Sequence, residues 1–187
     1  MEIVAVGKCV AIRRLEIEDV PLYTKWWNNG ELMASVGFKN GLGITEEKLY
    51  QEFTKEIIDI DKYRKSRRYV VIDIKNNKPI GELVYGQLDV QERKCRIGMK
   101  ICDLTYQGKG YGKDTLITFM NYLYNYFDLL KIEIDTLADN IRALSLYEKV
   151  GFKEIKYEQD FWTDPDGISH DVIFMELHRR DWIYWAN

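Results

Sequence analysis

Histidine and cysteine are scarce in this chain, at two and three of 187 residues. They fall into no metal-ligand spacing, so no metal is expected. Three thiols, Cys9, Cys95 and Cys102, cannot all pair with one another, which suits a reducing, cytoplasmic setting. Long apolar runs are missing: none approaches the ~20 residues of a membrane span. Met1-Glu2-Ile3-Val4 has neither the basic nor the apolar region of a signal peptide, so no membrane partner is expected. An excess of positive charge is missing too. The formal net charge is −3, which argues against DNA or other nucleic acid as the main partner. The basic cluster Lys62, Arg64, Lys65, Arg67 and Arg68 reads first as a solvated helix end and turn, with an RNA or ribosomal surface as the lesser reading. No repeat, linker or low-complexity stretch divides the chain, so residues 1–187 read as a single domain.

What is present is an ordinary globular balance, 46% hydrophobic and 30% charged. Cys9–Arg13 reads as a strand. Asp19 then caps a helix through about Asn28, with Pro21 in its first turn. The glycine-rich segment 28–44 reads as a flexible loop with a short helix near Glu31–Ala34. Thr45 starts a helix carrying Leu49, Phe53, Ile57 and Ile60 at helical spacing. Three strands joined by short turns come next, Tyr69–Ile74, Ile80–Leu88 and Lys94–Ile101, implying an antiparallel meander. A helix over about Lys113–Phe127, a strand Leu130–Asp135, a helix from Asn140 to Val150 and strands Phe152–Glu158 and Val172–His178 complete the order. This predicts a mixed α/β (α+β) domain with a mostly antiparallel central sheet, flanking helices, and a parallel, right-handed strand–helix–strand crossover around residues 95–135.

The most informative stretch is Gln107-Gly108-Lys109-Gly110-Tyr111-Gly112, between a strand and a helix. Glycines at alternate positions let a backbone pass close to a bulky anion. The first N–H groups of a helix lack intrahelical partners and carry partial positive charge. The spacing is neither that of a P-loop nor that of the dinucleotide fingerprint. Alone, the turn is equally a helix cap. About thirty residues on stands Asn140-Ile141-Arg142-Ala143-Leu144-Ser145-Leu146-Tyr147-Glu148-Lys149-Val150-Gly151-Phe152.

The two motifs at this separation resemble those of the GCN5-related N-acetyltransferases, and more narrowly their ribosomal-protein-acetylating and spermidine-acetylating branches. The glycine turn matches the family's pyrophosphate loop; Asn140, Tyr147 and Gly151-Phe152 match its later signature; the element order matches over essentially the whole chain. The resemblance implies acetyl-CoA as acetyl donor. It places the pyrophosphate on the backbone of Gln107, Gly108, Lys109, Gly110, Tyr111 and Gly112, with charge from Lys109 and Lys113. The pantetheine arm would lie along Met99, Ile101 and Cys102, where the strand splays from its neighbour. Asn140 would bond that arm, cap its helix, or both. Tyr147 would give a proton to the leaving thiolate; without the motif it reads as a packing tyrosine. Asp135, where several members carry Glu, is one candidate base or end of a water relay; Glu82 is another. Many members place Glu where this chain has Arg96, which removes a base there; an arginine at that place would orient an acceptor carboxylate or pair with Asp135. Oxyanion support would come from strand N–H groups near Met99–Ile101.

The acceptor is implied to be a primary amine: a protein N-terminus, a polyamine or an aminoglycoside-like amine. Residues 153–171 hold six acids against two lysines, a balance of −4, which would attract a cation or simply mark a solvated hairpin. Trp26, Trp27, Phe38 and Trp162 are candidates for a pocket lining, and His170 for an acid–base role. Trp182-Ile183-Tyr184-Trp185 reads as an exposed tail, packed on its own domain or supporting a homodimer. A non-catalytic acyl-CoA-binding module or sensor on the same fold is the alternative reading.

Overall fold

The structure is a computed structural model and describes residues 1–182. In chain order the elements are β1 (Ile3–Val6), β2 (Val10–Arg14), α1 (Val20–Trp27), α2 (Gly30–Met33), α3 (Glu46–Ile58), β3 (Arg67–Asp73), β4 (Lys78–Asp89), β5 (Lys94–Ile101), α4 (Tyr111–Phe127), β6 (Lys131–Leu137), α5 (Ile141–Val150), β7 (Lys153–Thr163), β8 (Ser169–His178) and α6 (Arg179–Trp182). Eight strands make one sheet in the order β1-β2-β3-β4-β5-β6-β8-β7. Every neighbouring pair is antiparallel except β5–β6, the parallel pair joined through α4.

Strand alternation decides what each face meets. Tyr69 and Val71 of β3 turn toward α4 and α5; Val70 and Ile72 turn toward α1 and α3, and all four are buried. A strand covered on both faces explains the unbroken apolar run read there. The first core holds Leu116, Phe119, Met120 and Leu123 of α4 against Ile97, Ile132 and Ile134 of the sheet. Each such side chain stabilises the fold by about 1.5–3 kcal/mol on burial. The second core is smaller and sits under α1 and α3, where Tyr23, Trp26, Leu49 and Phe53 meet β2 and β3. The face of β5, β6 and β8 that continues from this second core carries charge instead. Arg96, Lys100, Glu133, Asp135 and Glu176 line up there through the register Glu82↔Lys100, Gly86↔Arg96, Arg96↔Glu133 and Glu133↔Glu176.

Several expectations are corrected. β1 is a strand that the sequence reading passed over. Segment 28–44 holds the expected short helix as α2 and, beyond it, a 3₁₀ turn over Ala34–Val36 that the sequence reading did not include. Ile57 is 37% exposed and Ile60, beyond the end of α3, is 95% exposed, so the apolar face of α3 stops at Phe53. Asp19 does not cap α1 with its side chain. It is buried beside Arg13 in a bidentate pair of 2.5 and 2.7 Å, and it also accepts from the Glu16 N–H. Arg67 is not solvated: it is buried and donates to the carbonyls of Glu56, Asp59 and Asp61, closing the end of α3. Of the aromatic tail, Trp182 is buried and so packs on its own domain, the first of the two alternatives, its indole donating to Asn121 Oδ1 at 2.7 Å; Ile183, Tyr184 and Trp185 lie outside the described residues. Among the described residues, no helix is long and apolar enough to cross a membrane.

Candidate functional site

The parallel pair β5–β6 is hydrogen-bonded over only half its length. Its register runs from Lys94↔Lys131 to Ile97↔Ile134 and stops. Beyond that point β5 stays with β4 to Ile101, and β6 stays with β8 to Leu137. The two strands therefore part, leaving the β6-facing edge of β5 without a strand partner where Met99 and Ile101 lie. An open sheet edge is a template for an extended ligand carrying amide groups.

A cleft of about 220 Å³ continues from this opening. Met99, Lys100 and Ile101 form one wall, Gln107, Gly108 and Gly112 its far end, and Asn140, Arg142, Leu146 and Tyr147 the other wall. Gly108 (φ 74°) and Gly110 (φ 89°) sit in the left-handed region, and a Cβ on either would meet nothing within 4 Å. These two glycines are thus demanded by backbone conformation, and the space over them is free. Gly110 is the N-cap of α4, so the unpaired N–H groups of the first helical turn open directly onto that space. This cradle fits a phosphate group.

The other residues singled out by sequence are distributed as follows. Gln107 acts as a bracket rather than through its backbone alone: Nε2 donates to the Ile101 carbonyl at 2.7 Å and Oε1 accepts from Arg142 Nη1. Tyr111 turns its ring away, packing on Tyr106 and donating to Asp73, which leaves its main chain for the turn. Lys109 and Lys113 lie on the other flank of the glycine turn, along a groove between β1 and α4. Cys102 is set apart from the cleft: its N–H donates to the Ile80 carbonyl, its side chain joins the second core, and burial pushes its thiol up. Asn140 caps α5 by accepting from Ala143 N–H, while its Nδ2 donates to Thr136 Oγ1 at 3.0 Å and to the Ser35 carbonyl at 3.4 Å.

Tyr147 is 5% exposed and packs on Phe152. Burial, and then the charge of Asp135, push its phenol well above the usual range, so it stays protonated. Asp135 is the first residue of β6 beyond the last pair with β5. Burial raises its carboxyl and Glu133 adds to that, while Arg96, 3.4 Å away, opposes the rise. The expected Arg96–Asp135 pair is therefore formed. Glu82 is committed elsewhere: Oε2 accepts from Trp27 Nε1 at 2.7 Å and Oε1 pairs with Lys100 at 3.2 Å.

Of the aromatic candidates, Trp26 is core, whereas Trp27 lines a second pocket of about 320 Å³ with Val36, Arg68, Glu82, Val84, Gly98, Met99 and Lys100. Phe38 packs on Trp162, which stacks on His170. His170 in turn bonds Asp164 at 2.9 Å, inside the turn that Asp164 organises through the N–H groups of Asp166 and Ile168. That histidine serves the hairpin. The hairpin acids are partly absorbed as well, Asp171 by Tyr157 and Glu158 by Lys156. Sequence reasoning missed Arg142 and Lys100. Arg142 shows its purpose only through contact with Gln107, and Lys100 only through its place between the two cavities. Among the described residues, no group of three or more His, Cys, Asp or Glu side chains is placed to hold a metal ion.

Comparison with known proteins agrees with this fold. A family model described as "Acetyltransferase (GNAT) domain" matches residues 10–153. The spermidine N(1)-acetyltransferase of Vibrio cholerae is 28% identical over 145 residues, covering 78% of this chain and 79% of that protein. The [ribosomal protein bS18]-alanine N-acetyltransferase of Haemophilus ducreyi is 28% identical over 76 residues, 41% of this chain; the match spans about half that relative's length, 52%. A crystal structure of the Vibrio cholerae spermidine enzyme in complex with CoA and spermine superposes with a TM-score of 0.82 at 23% identity, covering 93% of this chain and 98% of that one.

Proposed function

The chain belongs to the GNAT acetyltransferase family, and we propose that it transfers an acetyl group from acetyl-CoA to a primary amine in the cleft between β5 and β6. The observation that carries this is the parting of β5 from β6 beside a left-handed glycine turn. Together they provide an unpaired strand edge for an amide-bearing arm and a cradle of N–H groups for its phosphates. Gly108, Gly110 and Gly112 hold the pyrophosphate by backbone, Arg142 and Lys109 add charge, and Met99 and Ile101 hold the arm. Asn140 keeps the mouth of α5 in register with it. The donor supplies a thioester carbonyl.

Tyr147 then works as a proton donor. Burial keeps its phenol protonated at neutral pH, so its O–H is available to a departing thiolate; because the same burial makes it a weaker acid than a free tyrosine, it helps chiefly by hydrogen-bonding the sulfur as negative charge develops. Asp135 accepts the amine's proton, directly or through water; its raised carboxyl makes it a better base than an exposed aspartate. Strand N–H groups near Met99–Ile101 face the carbonyl oxygen as charge develops. Glu82 is the lesser candidate for the base, because Trp27 Nε1 and Lys100 each hold one of its oxygens. Three free thiols suit a reducing compartment, and we place the protein in the cytoplasm.

Incubation with acetyl-CoA and a panel of primary amines, read as free thiol, tests the proposal. Release that depends on the amine is expected. Tight CoA binding with no release from any amine would leave the protein an acyl-CoA-binding module.

A further inference from the structure

Lys100 occupies a singular place. It is the side chain that, with Met99, lines both the cofactor cleft and the neighbouring pocket on the α1-side face of β4 and β5. Its ammonium is 3.2 Å from Glu82 and 2.8 Å from the Met33 thioether, and both charged side chains are about one-seventh exposed, at 14% and 15%. The pocket holds one carboxylate, Glu82, and two cations, Lys100 and Arg68. Both oxygens of that carboxylate are taken, one by Trp27 Nε1 and one by Lys100. The next carboxylates along the same face are paired too. Asp135 and Glu133 face Arg96, and Glu133 and Glu176 share Lys131.

We infer that Lys100 sets the class of acceptor: it closes this pocket to polyamines and fits it to primary amines that also carry a carboxylate. The inference rests on the acetyltransferase reading above and names the acceptor of that same site. A polyamine brings a second ammonium a few methylenes from the reacting amine. Here that ammonium meets Lys100 and Arg68, while Glu82, the one carboxylate lining this pocket, is already taken; Glu31 lines the adjoining cleft and not this pocket. Like charges so arranged reject a partner. An amine with a nearby carboxylate meets the same two cations favourably. Arg68 is anchored for this by Glu56 at 2.7 Å and lies over the Trp27 ring. Free α-amino acids and the N-termini of acidic peptides share this chemistry.

The test measures kcat/KM by thiol release for four acceptors: spermidine, butylamine, free glutamate and a short peptide with an acidic second residue. It uses the wild-type chain, Lys100→Met and Lys100→Arg. In the wild type at least one carboxylate-bearing amine should exceed spermidine by roughly tenfold or more. Whether glutamate or the peptide leads distinguishes a metabolite from a polypeptide acceptor. Lys100→Met frees Glu82 and should shift the ratio toward spermidine by about tenfold, whereas Lys100→Arg should retain it. All acceptors draw on the same donor site, so the ratio cancels any change in donor binding, and a purely structural lysine would leave it unmoved. Spermidine turned over as well as the carboxylate-bearing amines by the wild type, or an unchanged ratio in Lys100→Met, overturns the inference while leaving an acetyltransferase. Thiol release with none of the amines overturns the functional reading and this inference together.

Discussion

Replacing Tyr147 with phenylalanine removes one oxygen and little else. The ring is 5% exposed and lies 6.0 Å from Phe152, contacts that phenylalanine keeps. Among the described residues the hydroxyl has no hydrogen-bond partner, so its loss strands no buried group, and stability should change by less than about 1 kcal/mol. Catalysis should not be spared. General-acid assistance is worth about 10²–10⁴-fold. A thiolate is a tolerable leaving group without a proton, which argues for the low end. A fall in kcat of roughly 100-fold, ~2.7 kcal/mol of transition-state stabilisation, is expected. The affinity for CoA, measured by calorimetry, should stay within about twofold, since uniform binding is untouched. The wild-type phenol is raised by burial and by Asp135, so it keeps its proton to at least about pH 9 and contributes no alkaline fall in kcat over that range. Steady-state thiol release across pH, with thermal unfolding of both proteins as control, decides the matter. A Tyr147→Phe protein with unchanged kcat and unchanged melting would refute the acid role.

Four further predictions probe other parts of the molecule. Gly110→Val forces a β-branched residue to φ 89° at the N-cap of α4 and should weaken CoA binding at least tenfold by calorimetry; normal affinity would show that the phosphates lie elsewhere. Asp135→Asn should lower kcat/KM and remove the acid limb of its pH profile, a limb lying above the ordinary carboxyl value of about 3.9 because the folded carboxyl is raised. Asp19→Ala strands the buried Arg13 guanidinium and should cost ~3–5 kcal/mol in urea unfolding, whereas Arg13→Met with Asp19→Leu should recover most of it. Burial pushes the Asp114 carboxyl up, but the N–H groups of Cys9, Lys8 and Val10 outweigh it and hold the value below normal. Its stabilisation is therefore full above the unfolded value of about 3.9 and lost as pH falls through the lower folded value. Asp114→Asn should flatten the acid side of the stability curve, and an unchanged slope would count against this.

The parts of the site that are local in sequence were legible there. Gly108 and Gly110 state their backbone demands at fixed spacing, and Asn140 and Tyr147 share one helix whose capping residue announces its start. The parallel crossover followed from a strand, an amphipathic helix and a strand in succession. What stayed hidden depends on partners far along the chain. Asp114 bonds N–H groups more than a hundred residues away, and the arrest of β5–β6 pairing after Ile97 leaves no mark in either strand's pattern. Lys100 looks like any strand lysine until Glu82, Trp27 and Met33 gather around it. Arg67, one of five clustered cations, was misread because nothing local shows that three carbonyls wait for it. The charge of Asp135 also acts at a distance on Tyr147, which a motif cannot express.

On the proposed reading, the unfinished pairing of β5 with β6 makes this sheet one that the acetyl donor completes. A ligand that binds the folded chain and not the unfolded one raises stability by about 2.7 kcal/mol at a hundred times its dissociation constant. Amides at the open end of β5 should exchange quickly in the free protein and slowly when the donor is bound, and nicking by protease at this mouth should slow in step. The lifetime of the polypeptide would then rise and fall with the supply of the acetyl donor, so abundance and activity would answer to one metabolite without any separate regulatory site.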